Sequence, residues 1–199
     1  MLKTPMKNVI PSARAKDKVP IMTSNKMRAL IAATIATTAI LSMSAYAQLA
    51  GFGGDKIKPP SDLGKLYTTI DRADNKQFRE YYANSVATEG MKKNGTLPAG
   101  SVLTGVLFKA KLDATGNPEK GSDGRFIKDA LIGYIVMEKE KDWGSTIPAE
   151  LRNGEWEYQA FTADKSVNDK ANLKACFECH RDKVGSAKDF VFTRDLIGK

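Results

Sequence analysis

The sequence predicts an α+β fold, a mostly antiparallel β-sheet domain with a few helices. Three segments rich in β-branched and aromatic residues, at 101–111, 126–138 and 155–161, are separated by glycine, proline and asparagine turn signals. A helix is predicted near the C-terminus, and the chain contains no internal repeat. Together these observations predict one sheet of four or five strands.

Residues 1–47 are predicted to be an N-terminal extension that ends in a secretory signal peptide. Ala29 to Met43 is uncharged and apolar, follows a basic segment, and precedes Ala45-Tyr46-Ala47, which fits a small-x-small cleavage site. This stretch is shorter than the ~20 apolar residues that a membrane-spanning helix needs, which favours a cleaved signal peptide. An uncleaved membrane anchor is the alternative. Cleavage near Ala47 and Gln48 predicts a periplasmic or secreted protein.

The formal net charge of +8 does not indicate a nucleic-acid partner. Residues 1–47 contain seven Lys or Arg and one Asp, so this leader accounts for +6 of the total. The remaining chain carries only +2, and a nearly balanced domain is not expected to bind a polyanion.

The first part of the exported chain combines an arm with short elements. Residues 48–64 are rich in glycine, proline and charge, and they predict a flexible arm before a domain at 65–199. The spacing from Phe78 to Val86 suits either a helical face or an aromatic strand. Asn84 is predicted to cap a short helix from Ser85 to Lys93.

Two strands and a long loop are predicted in the middle of the chain. The turn signal Pro98-Ala99-Gly100 precedes the strand at 101–111. The segment 113–124 contains three glycines and a proline, which predicts a loop. The apolar run within 126–138 predicts a strand that is buried on both faces.

The last strand and the last helix follow the turn Asn153-Gly154. Apolar and polar residues alternate through 155–161, which predicts a half-buried strand. Asn168 or Asp169 can then cap a helix that continues to about Lys183.

This helix carries Cys176-Phe177-Glu178-Cys179-His180, a C-x-x-C-H motif typical of c-type haem attachment. Cysteines three residues apart on a helix face the same side, so both thiols can form thioethers with the haem vinyl groups, and the adjacent histidine can bind iron. Attachment outside the cytoplasm agrees with the predicted signal peptide. The motif predicts one covalent haem c per chain, held by Cys176 and Cys179, with His180 as the axial iron ligand.

Three alternatives for the two cysteines remain open. A structural zinc site needs four ligands, and the chain offers two cysteines and one histidine. A redox-active dithiol is expected after a strand near the start of a βαβ domain, whereas these two cysteines lie near the C-terminal end of the chain. A purely structural pair of thiols is the third alternative.

The open coordination position is predicted from the scarcity of other ligands. His180 is the only histidine, which excludes bis-histidine ligation within one chain. Met91 and Met137 both precede the motif, whereas small electron-transfer cytochromes place their methionine ligand after it. Met137 lies in an apolar run that suits the core. We therefore predict five-coordinate iron with one face open to a small ligand.

Several stretches resemble the cytochrome P-460 family, which includes the beta-type cytochromes c′. The resemblance covers roughly residues 65–195. The four-helix cytochromes c′ also carry the motif near the C-terminus, but the predicted strands argue against a helix bundle. The similar stretches are Tyr82-Ala83-Asn84, Leu97 to Leu103, Asn153 to Tyr158, and Cys176 to His180 followed by Asp189-Phe190-Val191-Phe192-Thr193.

The resemblance implies a mostly β fold, a homodimer with high-spin haem c and one of two activities. Transfer of single electrons would in addition require a redox partner protein. The P-460 enzymes oxidise hydroxylamine, and a lysine on the strand after the P-x-G turn is covalently linked to their haem. The beta-type cytochromes c′ lack this link, have an apolar distal pocket and bind nitric oxide.

Counted without a gap from Pro98-Ala99-Gly100, the linking position falls on Gly105, which has no side chain to form the bond. Lys109 and Lys111 share that side of a regular strand, and Lys109 lies about 13 Å farther on. A bulge at Gly105 could shift the register, which makes Lys109 the candidate catalytic residue. The simpler interpretation of Lys109 is a solvated lysine at the end of a strand.

The function predicted from the sequence is therefore an exported mono-haem cytochrome that binds a small gaseous or nitrogen-oxide ligand, or transfers single electrons. The strands Val102–Phe108 and Leu131–Val136 contain no acid and no lysine, so the pocket between them is predicted to be apolar. The alternative is a haem oxidoreductase that oxidises hydroxylamine or a related nitrogen compound.

Overall fold

A five-stranded antiparallel sheet organises the chain, and each strand pairs with the one that precedes it in sequence. The computed structural model describes residues 56–199. The predicted α+β class is confirmed. The strands are β1 (Lys65–Arg72), β2 (Gln77–Ala83), β3 (Ser101–Ala110), β4 (Lys128–Lys139) and β5 (Trp156–Thr162).

Two α-helices and three short 3-10 turns accompany the sheet. The helices are α1 (Ser85–Asn94) and α2 (Leu173–Lys183). The turns occupy Trp143–Thr146, Ser186–Lys188 and Arg194–Leu196.

The predicted start of α1 is confirmed, whereas the predicted start of α2 is wrong. The Asn84 carboxamide oxygen accepts a hydrogen bond from the backbone N–H of Ala87 at 3.0 Å. Helix α2 begins later than predicted because Asn168 is still tied to the sheet: its N–H donates to the carbonyl of Ala160 at 2.9 Å. The cap of α2 is instead Asn172.

The sequence pattern did not predict strand β1, which lies at an edge of the sheet. Its sequence, KLYTTIDR, mixes polar and apolar residues, and none of its side chains is fully buried. Pairing with β2 defines it as a strand, since Ile70 lies opposite Arg79 and Asp71 lies opposite Phe78. The same pairing resolves the ambiguous segment from Phe78 onward as a strand rather than a helix.

The burial of β4 and β5 differs from the prediction. In β4 only Gly133 and Val136 are buried, so burial on both faces is wrong. In β5 both faces are buried, and Glu157 is 0 % exposed. The alternation in β5 did not reveal this burial because the cover comes from a distant segment: Lys56 Nζ lies 3.1 Å from Glu157 Oε1.

That segment belongs to the arm that the sequence predicts to be flexible, and its described part is docked instead. Ile57 is 2 % exposed and packs in a cluster with Val136 and Phe161. The predicted signal peptide and residues 48–55 lie outside the described residues. Within residues 56–199, no helix has the length and hydrophobicity needed to span a membrane.

The main hydrophobic core lies at the end of the sheet where β3 begins and fixes α2 against β5. Phe177 of α2 is 0 % exposed, and its ring meets Tyr158 of β5 edge-on, with 4.6 Å between centroids. The buried members of this cluster are Ala83, Ala87, Leu97, Leu103, Ile147, Leu151, Trp156, Tyr158, Phe177, Val191 and Ile197.

Asn84 joins α1 to β3, which generates a stability prediction. Its carboxamide oxygen accepts from Ala87 N and Val102 N, and its Nδ2 donates to the Gly100 carbonyl at 2.8 Å. We expect Asn84→Ala to lower the free energy of unfolding by about 2 kcal/mol, because it removes a cap and leaves strand groups unpaired. Asn84→Asp retains the acceptor and should cost less.

Urea unfolding followed by circular dichroism measures both variants. Equal losses for Asn84→Ala and Asn84→Asp would show that the acceptor contributes nothing at this junction.

Candidate functional site

A cavity of about 460 Å³ lies between one face of the sheet, α2 and the segment 191–193. Its floor includes a row of residues that are paired across four strands. Most of the floor side chains are aromatic or aliphatic. The row consists of Tyr81, Gly105, Ile135 and Ala160.

The three residues predicted to hold haem come together at this cavity. Cys176, Cys179 and His180 all line it from α2. Both cysteines are free thiols. Phe177 points instead into the core, and Glu178 is partly exposed and pairs with Lys174. The helix thus places its cysteine and histidine side chains on one face, as the three-residue spacing requires.

The His180 ring is fixed in one tautomer by a backbone carbonyl. Nδ1 donates a hydrogen bond to the Phe190 oxygen at 2.6 Å, since a carbonyl can only accept. Nε2 therefore keeps its lone pair. Burial lowers the pKa of His180, which favours the neutral imidazole. A neutral imidazole with one oriented N–H is the form in which histidine binds a metal.

An unusual turn presents that carbonyl to His180. Asp189 and Phe190 both have left-handed backbones, with φ of 48° and 58°. This conformation is unfavourable for a residue such as phenylalanine, so neighbouring contacts must stabilise it. Lys139 Nζ lies 2.8 Å from Asp189 Oδ2, and Trp156 Nε1 donates to Asp189 Oδ1 at 3.2 Å.

Aromatic rings pack around the His180 imidazole. The Tyr158 ring centroid lies 4.9 Å from that of His180, and the Phe192 centroid lies 5.1 Å away. Asn153 Nδ2 donates to the Tyr158 hydroxyl at 2.9 Å and to the Phe177 carbonyl at 3.0 Å. Burial raises the pKa of Tyr158, so its hydroxyl stays protonated. The imidazole is thus held by packing as well as by hydrogen bonding.

The residues of the cavity fit a c-type haem. The volume of the cavity falls in the range of about 300–1,000 Å³ that is usual for ligand pockets. Two thiols and one neutral imidazole converge in it, and burial raises the pKa of Cys176. None of the lining residues is an acid or a lysine. Across the described chain, no group of three or more His, Cys, Asp and Glu residues is placed to hold a metal ion.

Gly105, the residue to which ungapped counting assigns the linking position, is closed by its neighbours. A Cβ on Gly105 would lie 2.7 Å from Ile135 Cγ1 and 3.1 Å from Tyr81 Cε1. The pairing is regular here, and the two shifts in the β3–β4 register lie farther on, between Leu107 and Phe108 and between Phe108 and Ala110. A side chain at Gly105 would therefore have to displace those of Ile135 and Tyr81.

Lys109 does not border the cavity. It lines a separate groove of about 660 Å³ near the opposite end of β3, together with Lys111 and Asp129. Lys109 itself is exposed there. Both methionines pack against the main core, as predicted for Met137, and Met137 also borders the cavity.

Sequence reasoning did not single out several polar residues of the cavity. Arg72 and Arg79 line it, as does Tyr67, whose hydroxyl lies 2.8 Å from Thr193 Oγ1. Burial raises the pKa of Tyr67 to about 12. Alternation along β2 could have placed Arg79 and Tyr81 on one face, once the segment was known to be a strand.

A family comparison covers both the sheet and this site. The sequence model described as Cytochrome P460 matches residues 61–193. The matched range contains all five strands, α2 and the turn at Asp189 and Phe190. No curated protein matches the chain.

The contacts of Asp189 generate a prediction about the site. Asp189→Ala removes the partner of both Lys139 and Trp156, so the free energy of unfolding should fall by about 1–3 kcal/mol. The Phe190 carbonyl should then lose its fixed position, which would alter the His180 hydrogen bond. Asp195→Ala removes an exposed carboxylate paired with Lys188 and is the control.

Urea unfolding measures the stability, and the iron–histidine stretch in the resonance Raman spectrum of the reduced protein measures the hydrogen bond. An unchanged iron–histidine stretching frequency in Asp189→Ala would show that the contacts of Asp189 do not maintain the His180 hydrogen bond.

Proposed function

The chain belongs to the cytochrome P460 family, and from this premise we propose that it is an exported mono-haem c-type cytochrome that binds small ligands or transfers single electrons. The family implies a haem cofactor. In our proposal Cys176 and Cys179 attach the haem and His180 binds its iron. The observation that carries this proposal is the convergence of these three side chains on one cavity.

Haem, when bound, supplies an iron that binds small ligands and exchanges single electrons. The protein's own residues prepare the site for it. Nδ1 of His180 donates to the Phe190 carbonyl, so Nε2 is the nitrogen left to bind iron. Tyr158 and Phe192 restrict the imidazole from two directions. This arrangement sets the orientation of the axial ligand before metal binding.

We propose five-coordinate iron because competing protein ligands are scarce. His180 is the only histidine in the sequence. Met137 borders the cavity and is the methionine whose removal tests this assignment. Tyr67 and Tyr158 also border the cavity, but burial raises the pKa of each and disfavours the phenolate that would bind iron.

Nitric oxide is the ligand class that the cavity chemistry favours. Hydroxylamine oxidation benefits from a base within hydrogen-bond reach of the bound nitrogen. The lining residues include no carboxylate and no lysine, and Gly105 cannot form the lysine link of the similar enzymes. Nitric oxide is neutral and requires no base for binding.

Export, dimer formation and a redox partner are parts of the same proposal. The apolar segment Ala29 to Met43 and the cleavage site after Ala47 support export to the periplasm or beyond. The homodimer rests on the family resemblance, and the redox partner protein follows from the proposed transfer of single electrons.

The first test of the proposal concerns covalent attachment. The double variant Cys176→Ala/Cys179→Ala should contain no covalently bound haem, because both thioether positions are removed. A matched control is Lys174→Ala/Glu178→Ala, which changes two residues on the exposed face of the same helix. Haem should remain attached in this control.

Intact mass after denaturation and extraction with acidified organic solvent measure the attachment. Wild-type protein that releases all of its haem into the solvent contradicts the proposal.

The second test concerns activity. We expect the ferric protein to be high-spin, the reduced protein to bind nitric oxide, and hydroxylamine oxidation with an artificial electron acceptor to be slow or absent. Optical titration and steady-state kinetics measure these properties. A low-spin spectrum that changes in Met137→Ala would indicate methionine ligation.

Lys109→Ala tests the alternative activity, and Lys111→Ala is its control because both lysines border the same groove. Sustained hydroxylamine turnover that is lost only in Lys109→Ala would identify the protein as an enzyme with a displaced linking lysine.

A further inference from the structure

Two arginines bring positive charge to a cavity that is otherwise uncharged. Arg72 at the end of β1 and Arg79 in β2 line it, and the lining residues include no aspartate, glutamate or lysine. Isolated charges are costly in partly apolar surroundings, so the partners of each guanidinium matter.

The charge of Arg72 is already balanced. Its Nε donates to Asp74 Oδ1 at 2.9 Å, and its Nη2 donates to Asp74 Oδ2 at 2.6 Å. This is the bidentate geometry in which arginine and a carboxylate pair best. Arg72 therefore has its anionic partner within the chain.

The charge of Arg79 is not balanced in this way. Its Nε and Nη2 both donate to the Gln77 carboxamide oxygen, at 2.9 and 2.7 Å. With its amide oriented to satisfy its neighbours, Asn75 places a second carboxamide oxygen 3.1 Å from Nη2. These partners are neutral. Among residues 56–199, Arg79 forms no ion pair, and its Nη1 has no hydrogen-bond acceptor.

We propose that Arg79 binds a propionate carboxylate of the haem, an inference that rests on the function proposed above. The propionates are the anionic side groups of haem, and arginine is well suited to bind a carboxylate with two parallel hydrogen bonds. The neutral contacts of Gln77 hold the guanidinium in place without competing for its charge. Arg79 is thus a cation at the cavity whose chemical counterpart is a carboxylate.

The positions of the residues agree with this assignment. Cys176 and Cys179 stand on α2, which packs against β5 through Phe177 and Tyr158. Arg79 stands on β2, and two strands separate β2 from β5 in the sheet. In haem the vinyl groups and the propionates are carried by opposite halves of the macrocycle. The cysteines and Arg79 border the same cavity from different elements, α2 and β2.

The test uses the haem-loaded protein and a spectroscopic readout of the propionates. Resonance Raman spectra contain a propionate-bending band whose frequency falls when a hydrogen bond to the carboxylate is lost. We expect a lower frequency in Arg79→Gln and an intermediate one in Arg79→Lys, which keeps the charge but not the fork. Arg72→Gln is the matched control and should leave the band in place.

A second variant neutralises Arg79 without removing it. Gln77→Glu places a carboxylate where the guanidinium now meets a neutral amide, so it should compete with the propionate and lower the band as Arg79→Gln does. The midpoint reduction potential provides an independent readout. It should fall in Arg79→Gln, because losing a nearby positive charge stabilises ferric over ferrous haem, and it should change less in Arg79→Lys.

The outcomes separate this inference from the proposed function. Wild-type protein without covalent haem overturns both. Covalently loaded Arg79→Gln and Gln77→Glu with an unchanged propionate band overturn the role of Arg79 alone. An unchanged band accompanied by a tenfold or greater rise in the Kd of nitrite would assign Arg79 to a small-anion site and would also overturn it.

Discussion

The hydrogen bond from His180 Nδ1 to the Phe190 carbonyl is the interaction on which the site depends. It joins α2 to the turn that follows it, and Trp156 of β5 and Lys139 of β4 hold that turn through Asp189. Residues 153–158 and 189–193, which resemble the family on either side of the motif, therefore serve one purpose. They deliver a fixed acceptor to a histidine whose other nitrogen must stay available.

The sheet contributes to the cavity chiefly by what its side chains leave uncovered. Gly105 lies between the side chains of Tyr81 and Ile135. The carbon atoms of these two side chains form the floor of the cavity around Gly105. The positively charged side chains enter from β1 and the start of β2, through Arg72 and Arg79. The cavity thus separates an apolar floor from a cationic side, a division suited to a cofactor with an apolar ring and acidic side groups.

Much of the fold and the chemical centre could be predicted because the signals are local. Each of these features depends on residues that are close together in sequence. They are the Asn84 cap, the strands β3 to β5 and the spacing of Cys176 and Cys179. The features that were missed depend on distant partners. Edge strand β1 is defined by pairing, β5 is covered by Lys56, and the Arg79 guanidinium contacts the amide of Gln77 rather than a carboxylate, which no sequence pattern records.

The neighbour-to-neighbour order of the strands also bears on how the chain matures. All five strands precede the Cys176–His180 motif, and every pairing in the sheet joins two strands that are consecutive in sequence. A sheet of this topology can assemble while the C-terminal segment is still extended. In the proposed haem protein, this order of assembly would leave both thiols accessible for haem attachment until Phe177 docks on Tyr158.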